Sequence, residues 1–241
     1  GNLKWTFNGH SDAVNSVFVD SSGNVYSGSN DNTVRKIDSS GGQAWSFDGH
    51  TDSVNSVVVD SNGNVYSAST DNSVKKIDSG GTEIVTGWPF TGHTSIIKSL
   101  AVDFENNVYS VSNDNTSKKI LPDGSEAWSF EPEGSYNLDA VAVDIDQNVY
   151  VGGSLGEFTK LSPEGTKIWA KSESIASILD IAVDIDGFSY VGMTDGSVKK
   201  FDHDGNQVLG FYKAGNGNGV GVYPGRYMIT QKEFLTYTPS T

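Results

Sequence analysis

The sequence repeats itself at intervals of about forty residues, and a chain built that way folds as a stack or ring of similar units. Trp5-Thr6-Phe7-Asn8-Gly9-His10 returns as Trp45-Ser46-Phe47-Asp48-Gly49-His50, and residues 14–38 return as 54–78 with mostly conservative changes. A third copy runs through Gly92-His93, Val108-Tyr109, Asp114-Asn115 and Lys119-Ile120. A fourth keeps Val149-Tyr150, Lys160-Leu161 and Trp169 but has lost the Gly-His pair, and a fifth keeps Ser189-Tyr190, Asp195-Gly196 and Lys200-Phe201. A worn sixth copy follows, with Val220 and Val222 as one expected strand, 226–230 as the next and 232–237 as the third.

Within a unit the pattern is all β. Val17-Phe18-Val19, Asn24-Val25-Tyr26-Ser27 and Thr33-Val34-Arg35-Lys36-Ile37 are short runs rich in β-branched and aromatic residues. Asp20-Ser21-Ser22-Gly23 and Asn30-Asp31-Asn32 separate them as turns, and Gln43-Ala44-Trp45-Ser46-Phe47 makes a fourth strand. No stretch shows helical spacing of apolar residues with a capped start. Four antiparallel strands per unit predict a β-propeller of one domain, 1–241. The blades fall near 14–47, 54–90, 97–130, 138–171, 178–211 and 219–237. The last unit has three strands, and Leu3-Lys4-Trp5-Thr6-Phe7 is a spare strand of the fourth type. Pairing the two closes a ring of six blades and hides two sheet edges.

Gly9-His10, Val14, Val17, Gly23, Ser27, Asp31, Val34 and Ile37-Asp38 resemble the WD-repeat pattern, which opens on Gly-His and ends on Trp-Asp. The resemblance covers nearly the whole chain and is best in the first three units. Ile37-Asp38, Ile77-Asp78 and Phe201-Asp202 replace Trp-Asp, so the family's His, Ser/Thr, Asp, Trp network is incomplete. Units four and five are more similar to quinoprotein-type blades, as in Val149-Tyr150-Val151-Gly152 and Gly165-Thr166-Lys167-Ile168-Trp169. That second resemblance implies a quinone-dependent oxidoreductase as one reading, though such proteins usually close with more blades.

Composition removes several function classes. The net charge is −14, which opposes nucleic-acid binding because that affinity rests on clustered Lys and Arg. There is no Cys, so disulfides, thiolate metal sites and Cys nucleophiles are excluded. No apolar run reaches the about 20 residues of a membrane helix. The N-terminus shows no signal peptide, and residue 1 is Gly, which fits a removed leader or a larger parent protein.

Each candidate chemistry meets a scaffold explanation. His10, His50 and His93 occupy equivalent positions in different blades, so they should not converge on one ion. The family resemblance has them bond toward Asp31, Asp71 and Asp114. Asp144-Ile145-Asp146 and Asp184-Ile185-Asp186 supply too few oxygens for a Ca²⁺ loop, so no metal and no cofactor is expected. Asp20, Asp60, Asp103, Asp144 and Asp184 close the first strand of five units. Lys36, Lys76, Lys119, Lys160 and Lys200 sit near the end of the third, on the same blade edge, within expected reach of those carboxylates. The run Gly215-Asn216-Gly217-Asn218-Gly219 lacks the Lys-Ser/Thr of a phosphate loop. No Ser-His-Asp set stands out, so the chain is not expected to be an enzyme.

Loops on a rigid scaffold are where binding residues concentrate. The expected site is the upper rim, which carries the fourth-to-first-strand loops, with Asn15, Asn55, Lys98, Tyr136, Asp139 and Asp180 near the channel mouth. The expected function is a non-enzymatic platform, a monomeric domain or part of a larger assembly, with a protein partner. A carbohydrate-binding propeller of a microbial or phage surface protein is the alternative, in which several weak equivalent sites bind glycan.

Overall fold

The computed structural model describes residues 2–134, 137–172, 175–212 and 228–229. They form five antiparallel sheets. The first contains β1 (Val14–Val19), β2 (Val25–Ser29), β3 (Val34–Ile37) and β4 (Gln43–Phe47) in simple meander order. The second holds β5 (Val54–Val59), β6 (Val65–Ser69) and β7 (Val74–Ile77). Its expected fourth strand is reduced to two isolated bridges, Ile77 with Glu83 and Val74 with Phe90. An insertion carrying Gly87 and Pro89 lies between those bridges, and proline has no N–H for a ladder.

The third sheet is β8 (Ile97–Val102), β9 (Val108–Ser112), β10 (Ser117–Ile120) and β11 (Glu126–Phe130). The fourth is β12 (Leu138–Val143), β13 (Val149–Gly153), β14 (Glu157–Leu161) and β15 (Lys167–Ser172). The fifth is β16 (Ile178–Asp184), β17 (Ser189–Met193), β18 (Ser197–Phe201) and β19 (Gln207–Tyr212), with β20 (Met228–Ile229) added on the free edge of β16. The first strands lie side by side, β1 against β5, β5 against β8, β8 against β12 and β12 against β16. The sheets therefore fan around one axis, with the first strands innermost.

The core lies between sheets. Phe18, Tyr26, Val34 and Phe47 of the first pack on Val54, Val57 and Ile77 of the second. The same arrangement joins the second to the third, the third to the fourth, and the fourth to the fifth. Tyr26, Tyr66, Tyr109 and Tyr150 are among the largest fully buried side chains. At the outer edge a tryptophan links each pair of sheets. Trp45 Nε1 donates to Ser79 O at 3.1 Å, Trp88 to Pro122 O at 3.4 Å, Trp128 to Pro163 O at 3.0 Å and Trp169 to His203 O at 2.9 Å.

The described residues form an arc of five sheets and no closed ring. At its first end Val14 and Val17 are 49% and 38% exposed, whereas the equivalent Val54 and Val57 are fully buried by the preceding sheet. One expectation changes here, and others fall on residues outside the described ones. Residues 3–7 pair with no strand among the described residues, since 232–237, their expected partner, lie outside them. Met228 and Ile229, expected inside the second strand of a sixth blade, instead pair with Asp184 and Val183 of β16. The free edge of an inner strand offers unpaired N–H and C=O groups to any such segment. The remainder of 219–237, the glycine run at 215–219 and Tyr136 lie outside the described residues.

The tryptophan link makes a direct prediction. Gly81 has φ of 92°, and a Cβ there would sit 2.8 Å from Trp45 Cγ. Gly81→Ala should cost on the order of 1–3 kcal/mol through backbone strain plus displacement of the indole. Urea unfolding followed by Trp fluorescence would report it, and Ala at exposed Gly80 should cost less.

Candidate functional site

The three histidines form three separate clusters on the upper face. His10 Nδ1 lies 2.9 Å from Asp31 Oδ2, His50 Nδ1 2.8 Å from Asp71 Oδ2, and His93 Nδ1 2.8 Å from Asp114 Oδ2. A carboxylate only accepts, so Nδ1 carries the proton, and Nε2 accepts from Ser27, Ser67 or Ser110 at 2.7–2.8 Å. Thr33, Ser73 or Thr116 donates to the second carboxylate oxygen at 2.6 Å. Burial pushes Asp31 and Asp71 up, but these hydrogen bonds outweigh it and hold both well below the ordinary carboxyl range. Burial lowers His93 against the opposing pull of Asp114, which keeps the ring neutral at pH 7.

In the fourth and fifth units Val151 and Val191 replace the serine, and Leu155 replaces the aspartate in the fourth. Each cluster ties the loop entering a blade to that blade's second-to-third-strand turn. The rings sit in different blades, and among the described residues no group of three or more His, Cys, Asp or Glu side chains converges as a metal site.

The repeated Asp and Lys flank a residue that the charge pattern passes over. In every unit the aspartate receives the hydroxyl of the tyrosine six residues on. Tyr26 donates to Asp20 at 3.0 Å, Tyr66 to Asp60 at 3.1 Å, Tyr109 to Asp103 at 3.0 Å, Tyr150 to Asp144 at 3.1 Å and Tyr190 to Asp184 at 2.9 Å. Lysine Nζ sits over the face of the same ring, 5.3 Å from its centroid for Lys36, 5.2 Å for Lys76, 5.4 Å for Lys119, 5.1 Å for Lys160 and 4.9 Å for Lys200. Among these five pairs only Lys200 comes within 4.0 Å of its carboxylate. The expected direct ion pair is thus an Asp–Tyr–Lys sandwich in the other four.

Asp60 also accepts from the Asn62 and Asn64 N–H groups at 2.9 and 2.8 Å and from Asn64 Nδ2 at 2.8 Å. Asp144 spends its oxygens likewise on Asn148 and Tyr150, and Asp184 on the Phe188 N–H and Tyr190. Burial lowers the Lys76 ammonium, and Asp60 opposes that shift. The tyrosines recur with the same period as the charges, a signal present in the sequence.

At the channel mouth the first strand bulges at one position in each sheet. Register shifts bracket Asn15, Asn55, Lys98, Asp139 and Leu179. Asn15 Nδ2 donates to Asn30 Oδ1 at 2.7 Å and to Val54 O of the next sheet at 3.0 Å. Asn55 Nδ2 donates to Thr70 Oγ1 at 3.1 Å and to Ile97 O at 2.9 Å. Those amides are occupied in joining neighbouring blades. Lys98 Nζ stands 3.9 Å from Asp139 Oδ1, with both side chains partly open to solvent. Burial raises the Asp139 carboxyl, and Lys98 partly offsets it. Asp180 lies one residue beyond the bulge, in register with Ser16 and Ser56, and its Oδ1 accepts from Ile181 N–H at 3.0 Å. The structure therefore groups Asn15, Asn55, Lys98 and Asp139, sets Asp180 apart, and puts Leu179 in the fifth place.

The family model described as "WD domain, G-beta repeat" matches residues 1–38 and 41–78. No curated protein matches the chain. Together with the antiparallel sheets, the two matches support a WD-repeat-like β-propeller. Both fall on units whose His clusters are complete. The quinoprotein likeness of units four and five remains a resemblance.

The sandwich predicts an order of effects. Tyr66→Phe removes a buried donor to a carboxylate and should cost about 1.5–3 kcal/mol. Lys76→Met leaves Asp60 with Asn62, Asn64 and Tyr66, and loses the contact over the ring, for about 0.5–1 kcal/mol. Paired denaturation curves should rank Tyr66→Phe as the more damaging change.

Proposed function

We propose that this chain is a non-enzymatic platform that binds a protein partner at the upper mouth of its channel. WD40 repeats generally mediate protein–protein interaction or scaffolding, and such domains are typically non-enzymatic. The carrying observation is the change of chemistry around the ring of bulges. Asn15 and Asn55 spend their amides on the next blade, whereas Lys98 and Asp139 present a charged pair with solvent access. A half-open pair of this kind adds little to stability and offers a directional contact to a partner.

The test is affinity capture with the whole chain as bait, beside a glycan array. Lys98→Ala and Asp139→Ala should leave the melting curve nearly unchanged and remove one specific protein from the captured set. Signal on the array that survives in both variants, with the same captured proteins in every bait, would replace this reading with glycan recognition at the equivalent sites.

We further propose that the chain closes as one six-bladed domain, with residues of 219–237 outside the β20 pair and the segment 3–7 completing the sixth blade. Trp5 Nε1 donates to Ser39 O at 3.3 Å, the link that Trp45 makes to Ser79. Phe7 meets His10 edge-on at 6.4 Å, as Phe47 meets His50 at 6.3 Å. The segment therefore bears on the first blade as an outer strand of a preceding blade would. Exposed Val14 and Val17 mark the face such a blade covers, and β20 brings the C-terminal segment to the other end of the arc. Deleting residues 1–7 strips two aromatic side chains worth a few kcal/mol each, about 1.5–3 for the phenylalanine alone. Loss of cooperative unfolding is expected. A truncated chain that melts like the full one, or that sediments as a dimer, would place the closing blade elsewhere.

A further inference from the structure

The lower face departs from the repeat in a concerted way. The turn between the first and second strands reads Asp20-Ser21-Ser22 and Asp60-Ser61-Asn62 in the first two units. In the next three it reads Asp103-Phe104-Glu105, Asp144-Ile145-Asp146 and Asp184-Ile185-Asp186. The leading aspartate is unchanged because it holds the turn and the tyrosine. The two residues after it change together, three times, from a polar pair to an apolar residue followed by an acid.

The outcome is a rim of alternating character. Phe104, Ile145 and Ile185 are 49%, 46% and 41% exposed, although nothing in the turn geometry requires a large apolar side chain there. Glu105, Asp146 and Asp186 are exposed beside them. Single exposed apolar residues are ordinary, but three at the same turn of three consecutive sheets make a repeated feature of one rim. A cavity of about 370 Å³ continues it, with Phe18, Val19 and Val59 of the first two sheets and Phe104 of the third in its walls. The turns of the second and third sheets are braced, since Ser61 N–H and Oγ–H both donate to Asn106 Oδ1, at 3.1 and 2.8 Å.

Glu105, Asp146 and Asp186 form no ion pair among the described residues. Each leading aspartate is matched by the lysine across its tyrosine, and those ammonium groups lie over the ring faces. The additional acids of the third, fourth and fifth turns have no such partner in the repeat. The outer turns of the same face add Asp38, Asp78 and Asp123.

We propose that this lower rim is a second docking surface, for a basic polypeptide segment that carries apolar side chains. Its apolar residues seat against Phe104, Ile145 and Ile185 and in the adjoining cavity, while its Lys or Arg side chains meet Glu105, Asp146 and Asp186. The same carboxylates repel nucleic acid and anionic membranes, which share the sign of the protein's net charge of −14. This inference shares the platform reading but uses the opposite face, so the two stand or fall separately.

The experiment titrates the full chain into a labelled synthetic peptide of alternating Lys and Leu, with an all-Lys peptide of equal length as the charge-only control. Fluorescence polarisation gives the affinities. The Lys-Leu peptide should bind more tightly than the control. Phe104→Ser with Ile145→Ser and Ile185→Ser should weaken it about tenfold or more. Glu105→Gln with Asp146→Asn and Asp186→Asn should weaken it and flatten its salt dependence. Lys98→Ala and Asp139→Ala, on the upper mouth, should leave it unchanged. Phe104→Ser alone serves if the triple variant does not fold. Equal affinity for both peptides, an unaffected apolar variant, or an equal loss in the upper-mouth variants would each overturn the proposal.

Discussion

Every sheet here depends on its neighbour for burial. Four short strands make a sheet too small to hold a core of its own, so the apolar side chains of one face have to be covered by the next sheet. The buried clusters accordingly lie between sheets rather than within them, each drawing residues from two consecutive units. This single requirement sets the period of the sequence and the innermost place of the first strands. It also sets the cost of an unfilled position, which Val14 and Val17 register as exposed apolar surface where Val54 and Val57 are buried. The tryptophan links add direction to that non-directional burial. An indole N–H reaching one carbonyl on the next blade fixes how far the sheets fan apart.

Within a blade the Asp–Tyr–Lys sandwich solves a different problem. The first-to-second-strand turn brings several N–H groups together at the lower edge, and the leading aspartate's carboxylate accepts from them. The tyrosine hydroxyl is a further donor, and its ring carries the lysine on the other side. Burial and the neighbouring carboxylate both push the tyrosine hydroxyls far above their ordinary range, so they remain donors under any physiological condition. Because the charges balance inside the blade, further acids placed at that edge act outward. The exposed acids of the third to fifth turns do so.

The repeated residues were legible because periodicity reports burial and turn chemistry directly. The β-sheet architecture, the turn residues and the links from His10, His50 and His93 toward Asp31, Asp71 and Asp114 all follow from positions that recur in step. What periodicity does not report is depth. Asp and Lys share a blade edge in the linear pattern, but only the fold shows that a tyrosine joins them, with its hydroxyl on the carboxylate and its ring face under the ammonium. Nor does it report a bulge. The rim position itself recurs eleven residues before each unit's tyrosine, at Asn15, Asn55, Lys98, Asp139 and Leu179, so the same period already sets Asp180 one residue past it. The second unit's broken outer strand escaped for a related reason. Trp88 and Phe90 keep their places while the backbone between Glu83 and Phe90 loses its ladder.

The departures from the repeat are themselves ordered, and that order separates scaffold from surface. When the fourth unit loses its histidine, the serine that would face it becomes Val151 and the aspartate becomes Leu155, so neither of the ring's two partners is left behind without it. Leu155 then sits 52% exposed with φ of 59°, a conformation costing a non-glycine residue on the order of 1–3 kcal/mol. The lysine that covers the ring in every other unit is nevertheless retained as Lys160, and the inter-sheet positions around Tyr150 stay apolar. Changes of chemical character therefore gather at the two rims, where a substitution disturbs one loop. In the contacts between sheets it is side-chain size that varies, as at Phe18, Val58, Ala101, Ala142 and Ala182. A molecule constrained in this way can diversify its binding chemistry unit by unit while its architecture holds, and the apolar-acidic turns of the lower face are the most consistent product of that freedom.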